Sequence, residues 1–201
     1  MREALTYAFG DGRWLPKLAV LTLAGCIPGL NIMAWVGYQQ SIAHNIARGL
    51  ANPLPSWDDW ADILVRGLIS ASASILYLLP AGIFWLIGWW PPVHGIALLI
   101  AFLWVVIGGC ALYAGYVRYA RTDQSSEYGV DGWLNWLRTS RRFRWTPLSL
   151  GFACQIGLLV IGLAATPFVL LTLIGLPVLW TAISVINGNL IGQVAARQRS
   201  V

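Results

Sequence analysis

Charged residues are scarce in this chain, at 10% of the total, where a soluble domain carries about 25%. Between Arg66 and Arg118 there is no charged side chain for 51 residues, and between Arg144 and Arg197 there is none for 52. A helix needs about 20 apolar residues to cross the hydrocarbon core of a bilayer. Each window is long enough to cross, turn and cross back, which excludes a soluble globular domain. Lysine is nearly missing too; Lys17 is the only one, so the basic residues are almost all arginine. They bracket the apolar blocks instead of forming a basic face, which argues against nucleic acid as a partner.

Cysteine is sparse. Cys26, Cys110 and Cys154 lie in apolar stretches without paired spacing, so neither a disulfide framework nor a zinc site is implied. Leu23-Ala24-Gly25-Cys26 mimics a lipid-attachment site, but the apolar run continues past Cys26. It reads as a chance match, with no removable signal peptide. No phosphate loop, nucleophile elbow or metal-ligand spacing occurs. The expectation is a protein without catalytic residues, metal or resident cofactor.

What is present is apolar sequence in three blocks, 18–38, 67–117 and 146–196, within a single integral membrane domain spanning 1–201. Trp89-Trp90-Pro91-Pro92-Val93-His94-Gly95 divides the second block into two spans. The third breaks between Thr166-Pro167 and Gly175-Leu176-Pro177. The first block has the length of one span, yet carries Ile27-Pro28-Gly29-Leu30-Asn31 at its centre. Two half-length helices meeting there make a re-entrant hairpin; a single fifth span is the alternative. The fold class is therefore all-α, a polytopic transmembrane bundle of four full spans plus this N-terminal segment.

Charge placement favours the hairpin. With both long blocks doubling back, their arginine flanks share one face, and the tight turns opposite carry no charge. A re-entrant first block adds Arg2, Arg13 and Lys17 to the same side. By the positive-inside rule that side, with the C-terminus, is cytoplasmic.

The connecting segments, 39–66 and 118–145, read as interfacial and amphipathic. In the first, Ile42, Ile46 and Leu50 share one helical face. In the second, Trp133 and Trp136 lie beside Arg138, Arg141, Arg142 and Arg144, as lipid-headgroup anchors should. Gly37, Gly115 and Gly192 close the three apolar blocks at spacings of 78 and 77 residues, a weak internal repeat.

Few polar features remain. Asp58, Asp59 and Asp62 follow Ser56, and Ser56 with Asp59 resembles a capping box at a helix start. A headgroup-directed enzyme using Asp58, Asp59 and the arginines is the less favoured reading. His44 and His94 fall on opposite faces, so they do not share one haem. Each is at most a single ligand to a pigment or haem, and otherwise His44 is a surface imidazole and His94 a turn residue. Ser184, Gly188 and Gly192 form a small-residue ladder for close helix packing, within the chain or against a partner. Asn187 and Asn189 flank it, and Ser70, Ser72 and Ser74 suggest similar hydrogen bonding.

Phe9-Gly10-Asp11-Gly12-Arg13-Trp14-Leu15-Pro16-Lys17, Ile27-Pro28, Gly37-Tyr38, Leu54-Pro55-Ser56-Trp57-Asp58-Asp59-Trp60, Gly67 and Tyr77-Leu78-Leu79-Pro80, in that order, resemble a bacterial and archaeal membrane family. It is known as domain of unknown function four-zero-one-three. The resemblance covers the first 80 residues and continues weakly to Leu190-Ile191-Gly192-Gln193. It implies a helical polytopic protein of a prokaryotic cytoplasmic membrane and no activity, so no functional residue carries over.

Two functional expectations follow. The first is a non-enzymatic accessory or scaffold subunit of a larger membrane assembly, contacting protein partners through its transmembrane helices and bound lipid through its anchors. The second is a channel or facilitator for an ion, small solute or lipid. Its motives are the broken first block with Asn31, the polar span residues and the repeat.

Overall fold

In a computed structural model the described residues are 11–50, 54–129, 151–158, 160–162, 164 and 175–197. They form helices and turns with no strand. The main helices are α1 (Trp14–Gly25), α2 (Leu30–Arg48), α3 (Trp60–Ile87), α4 (His94–Thr122) and α5 (Gly175–Arg197). Residues 151–158 and 160–162 are also helical.

Three segments are long and apolar enough to cross a bilayer: Trp57–Ile87, Pro91–Thr122 and Gly175–Arg197. The helical class expected from sequence stands. The expected four full spans become three among the described residues, because much of 146–174 lies outside them. In their most apolar windows α3 and α4 bury only 22% and 28% of residues inside the protein, whereas α5 buries 61%. The outward faces carry Ile75, Leu76, Trp85, Leu86, Ile96 and Phe102, each more than half exposed. A contiguous apolar surface of this kind is unsustainable in water. In lipid it is the ordinary outer face, and the chain is a membrane protein.

The first apolar block is broken where its sequence suggested. α1 ends at Gly25, and α2 begins after Gly29, whose φ of 84° suits a residue without Cβ. Twelve residues of α1 rise about 18 Å, too little to cross. The register against α3 fixes how deep the hairpin goes. A Cβ on Gly37 would fall 1.9 Å from the Ile63 carbonyl oxygen, and one on Gly67 would fall 1.9 Å from that of Met33. Each step along α2 is thus matched by an equal step back along α3. Continued to the turn, this register sets 27–29 level with about residues 71–73, near the middle of α3. α3 then runs on for about 15 residues, or ~22 Å. The hairpin stops at half depth.

Both its ends return to the charged end of the bundle. Lys17 Nζ donates to Asp11 Oδ2 at 2.7 Å and to the Leu54 carbonyl at 2.8 Å. Trp57 Nε1 donates to the Lys17 carbonyl at 2.8 Å, and the Trp57 ring stacks on Tyr38. The Lys17 ammonium holds the Asp11 carboxyl below its ordinary range. At the same end Arg66 pairs with Asp123 at 2.7 Å and Arg118 with Glu127 at 3.4 Å. At the opposite end α3 and α4 are joined through Pro91–Val93, with the His94 ring bonded to the Gly88 carbonyl. No charged side chain lies between Gly88 and Gly95.

α2 is the axis of the bundle. Gly37 and Gly67 bring it against α3, while Gly188 and Gly192 bring α5 against its other side. A Cβ on Gly188 would meet the Gln39 carbonyl oxygen at 2.6 Å, and one on Gly192 would meet Ile46 Cβ at 2.6 Å. Segment 39–48 therefore differs from its sequence expectation. It is the unbroken continuation of α2 and not a separate surface stretch. Gln39, Gln40, Ser41, Ile42 and His44 are all buried by the helices around them.

Pro80 lies inside α3, where a proline lacks the N–H that would bond four residues back. Close by, the Tyr77 carbonyl accepts Trp104 Nε1 of α4 at 2.9 Å. The carbonyl that Pro80 leaves free is that of Leu76, so the Trp104 bond ties α4 to α3 beside the interruption and does not repair it.

Candidate functional site

The small-residue ladder does two things. Gly188 and Gly192 draw α5 onto α2, and one turn earlier the gap between the helices widens. The bulky rings of Trp35 and Trp180 meet there at 6.1 Å between centroids, and Ser184 leaves room beside them. The result is a half-open cavity of about 390 Å³. α2 supplies Ile32, Trp35, Val36 and Gln39, and α3 supplies Ser74 and Leu78. α4 supplies Leu112 and Tyr116, Gln155 follows, and α5 supplies Trp180, Ile183, Ser184 and Asn187. The volume suits a small ligand, and mostly apolar walls with a few placed polar groups are the usual make-up of a binding pocket.

The polar groups have a definite arrangement. Ser74 Oγ donates to the Ser70 carbonyl at 2.7 Å, and lies 2.6 Å from the Tyr116 hydroxyl. A serine hydroxyl has one proton. With that proton on the Ser70 carbonyl, Tyr116 donates to Ser74; with it on Tyr116, the Ser70 carbonyl goes without it. Asn187 is 4% exposed, and neither its Oδ1 nor Gln155 Oε1 has a partner among the described residues. None of the described lining residues is charged. A second hollow of about 150 Å³ adjoins the first. The two share Leu78, Leu112, Tyr116 and Gln155, and the second adds Val105, Gly109, Tyr113, Phe152 and Ile156.

The charged end forms a separate polar cluster. His44 Nδ1 lies 2.8 Å from the Ala120 carbonyl, so that nitrogen carries the proton and donates. Nε2 faces Asp123 Oδ2 at 3.9 Å, and Arg66 holds the same carboxylate. Burial pulls the imidazole below its ordinary pKa; the Ala120 bond and Asp123 oppose this, while Arg66 and Arg48 add to it. The surface location expected for His44 is thus replaced by a buried contact between α2 and α4. His44 lies at the charged end and His94 at the other, and no group of three His, Cys, Asp or Glu side chains converges among the described residues.

Asp58, Asp59 and Asp62 are exposed at the start of α3. Ser56 accepts from the Asp58 N–H and not from Asp59, because a tight turn, Trp57–Asp59, precedes α3 and shifts the cap by one residue. Asp59 and Asp62 border a small cleft with Ser41, Asn45 and Arg66. Asn31 bonds locally through its side chain to the Ile32 N–H and does not line the cavity. Ser70 reaches the Tyr128 hydroxyl at 3.1 Å, and Asn189 accepts from Gln193 within α5. Trp133, Trp136, Arg138, Arg141, Arg142 and Arg144 lie outside the described residues. Sequence reasoning had singled out Asn187 and Ser184, but not Tyr116, Gln155 or Gln39. An uncharged polar residue within an apolar block was the available signal.

The chain belongs to a family described as protein of unknown function (DUF4013), which matches residues 20–128. That stretch takes in α2, α3, α4 and the second half of α1, but not α5, which closes one side of the cavity. No curated protein and no solved structure matches the chain.

Proposed function

Since the family brings no activity with it, we propose from the cavity that the protein is a membrane facilitator or carrier for a small uncharged molecule. It binds that molecule between α2 and α5 and does no covalent chemistry on it. The observation that carries the reading is the buried Asn187 oxygen, without a partner among the described residues, on a mostly apolar hollow beneath a half-depth hairpin. Non-helical backbone at membrane depth is tolerated where it is packed in protein or lines a cavity. Uncharged polar walls suit a neutral cargo, since none of the described lining groups would balance a buried charge. In this reading the arginine-rich end faces the cytoplasm of a prokaryotic cell.

The accessory-subunit expectation loses one of its motives, because Gly188 and Gly192 are already occupied by α2 of the same chain. The test is native mass measurement of the full chain released from lipid nanodiscs. One retained small molecule per chain, lost in Val36→Trp, which fills the cavity, is the expected result. A bare chain in both forms refutes cavity binding, and a retained second protein returns the accessory role.

A further inference from the structure

The cleft at the charged end, apart from the cavity, has a character of its own. It measures about 160 Å³ and lies between α2 and α3. Ser41 and Asn45 line it from α2. Asp59, Asp62, Ile63 and Arg66 line it from the α3 side, and Pro55 and Ser56 close it. We infer that it holds the head of an aminophospholipid of the phosphatidylethanolamine kind, its ammonium at Asp59 and Asp62 and its phosphate at Arg66.

The charges of the cleft are kept apart. Arg66 is one turn beyond Asp62, close enough for an ion pair, yet its guanidinium turns to Asp123. Asp59 and Asp62 make no ion pair and no side-chain hydrogen bond among the described residues. Arginine has five N–H donors, and of those on Arg66 only Nη2 is engaged among the described residues, by Asp123. Ser56 is taken up by Asp58. Ser41 lines the cleft at 5% exposure, and its hydroxyl has no partner among the described residues. A polar group so buried is ordinarily bonded, and the cleft is where Ser41 can find its partner. The walls thus offer two free carboxylates and a hydroxyl on one side and a free guanidinium edge on the other.

This set selects among heads. No group of three His, Cys, Asp or Glu side chains converges among the described residues, so a metal ion is the poorer fit. A quaternary ammonium is recognised by aromatic faces, and no aromatic ring is among the described lining residues. A primary ammonium brings three N–H donors instead. A serine head would add a carboxylate beside Asp59 and Asp62, and a glycerol head would leave both without a cation.

Depth agrees with the charge order. Trp60 is exposed beside Asp59, and tryptophan belongs to the headgroup layer. The exposed Val65 and Leu68 begin the surface that faces hydrocarbon. Arg66 lies about 6 Å further along α3 than Asp62, toward the bilayer centre. In phosphatidylethanolamine the phosphate is likewise nearer the acyl chains than the ammonium.

The experiment titrates the full chain in a mild detergent with phosphatidylethanolamine, its singly and doubly N-methylated forms, phosphatidylcholine and phosphatidylglycerol, counting bound lipid by native mass. Phosphatidylethanolamine is expected to bind at least tenfold more tightly than phosphatidylcholine or phosphatidylglycerol, with a loss at each methylation. Asp59→Asn together with Asp62→Asn should bring that preference below twofold. Both side chains are exposed and Asp59 makes no capping bond to α3, so neither exchange removes a contact that holds the fold. Val36→Trp, which fills the cavity, should leave the preference intact. Equal binding of the methylated series, or a preference that survives the double exchange, overturns the inference. A preference lost in Val36→Trp moves the lipid to the cavity and overturns the cleft site. Displacement of the lipid by an equal concentration of soluble phosphoethanolamine overturns the membrane source.

Discussion

Replacing Gly37 with alanine should loosen the whole bundle. The added carbon would sit 1.9 Å from the Ile63 carbonyl oxygen, where ordinary contact begins at 3.4 Å. The obstacle is backbone in the middle of a helix, so no side chain can swing aside. α2 and α3 must separate by about 1.5 Å. A gap of 0.5–1 Å already forfeits a quarter to a half of each pairwise attraction, and each pair is worth about 0.1–0.2 kcal/mol. With on the order of thirty atom pairs across the crossing, the loss is about 2 kcal/mol, within the 1–3 kcal/mol usual for overpacking. The control is Gly82→Ala. Gly82 also lies within α3, but a Cβ there meets nothing within 4 Å. In a helix interior that exchange should gain up to about 1 kcal/mol. Thermal unfolding in a mild detergent compares the two. Gly37→Ala should melt well below the parent, and Gly82→Ala at or above it. Equal stabilities would mean that α2 and α3 do not touch at Gly37, and the half-depth register built on that contact would fall with it.

Two other outcomes follow from particular groups. The folded-state pKa of His44 lies below its ordinary value, so its contribution to stability is whole above about pH 6.5 and is lost as pH falls through the folded value. Melting temperature should drop on acidification from pH 7.5 to 5. His44→Gln, which can still donate to the Ala120 carbonyl, should flatten the drop; an unchanged slope would assign it to another group. Cys26 caps α1 at the half-depth turn and is exposed. With Cys110 and Cys154 changed to alanine, a fluorophore on Cys26 should be quenched best by nitroxides deep in the acyl chains. Stronger quenching from the headgroup level would mean a hairpin lying on the surface.

Charge spacing made the block boundaries legible, since it marks where lipid must begin. The 89–95 turn and the break at 27–31 could be read from proline and glycine alone. What could not be read was pairing. Gly37 was visible only as one member of a spaced set, and Gly67 only within a family resemblance; nothing in one sequence says that they face each other. The cavity was hidden for a related reason. Its polar wall draws on Ser74, Tyr116, Gln155 and Asn187, from three main helices and the 151–158 stretch, and only packing brings those residues to one place. Ser184 and Asn187 stood out as members and neighbours of the small-residue ladder, whereas Tyr116 was not singled out.

The largest departure, segment 39–48, comes from taking an amphipathic face as the mark of a helix lying on the membrane surface. Ile42, Ile46 and Leu50 on one helical face suggested an interfacial segment, with that face toward lipid and the polar side toward water. α2 buries Ile42 and, with it, Gln39, Gln40, Ser41 and His44. A polar group turned toward hydrocarbon has no partner there, so in a lipid-embedded bundle the polar side belongs inside. The hairpin strengthens the effect. A helix that starts at half depth and ends among charges must carry polar residues through the region where α3, α4 and α5 surround it. Gln39, which lines the cavity, and His44 beside Ala120 are successive levels of that one polar stripe. The change from amide to ionisable group along it follows the distance to water.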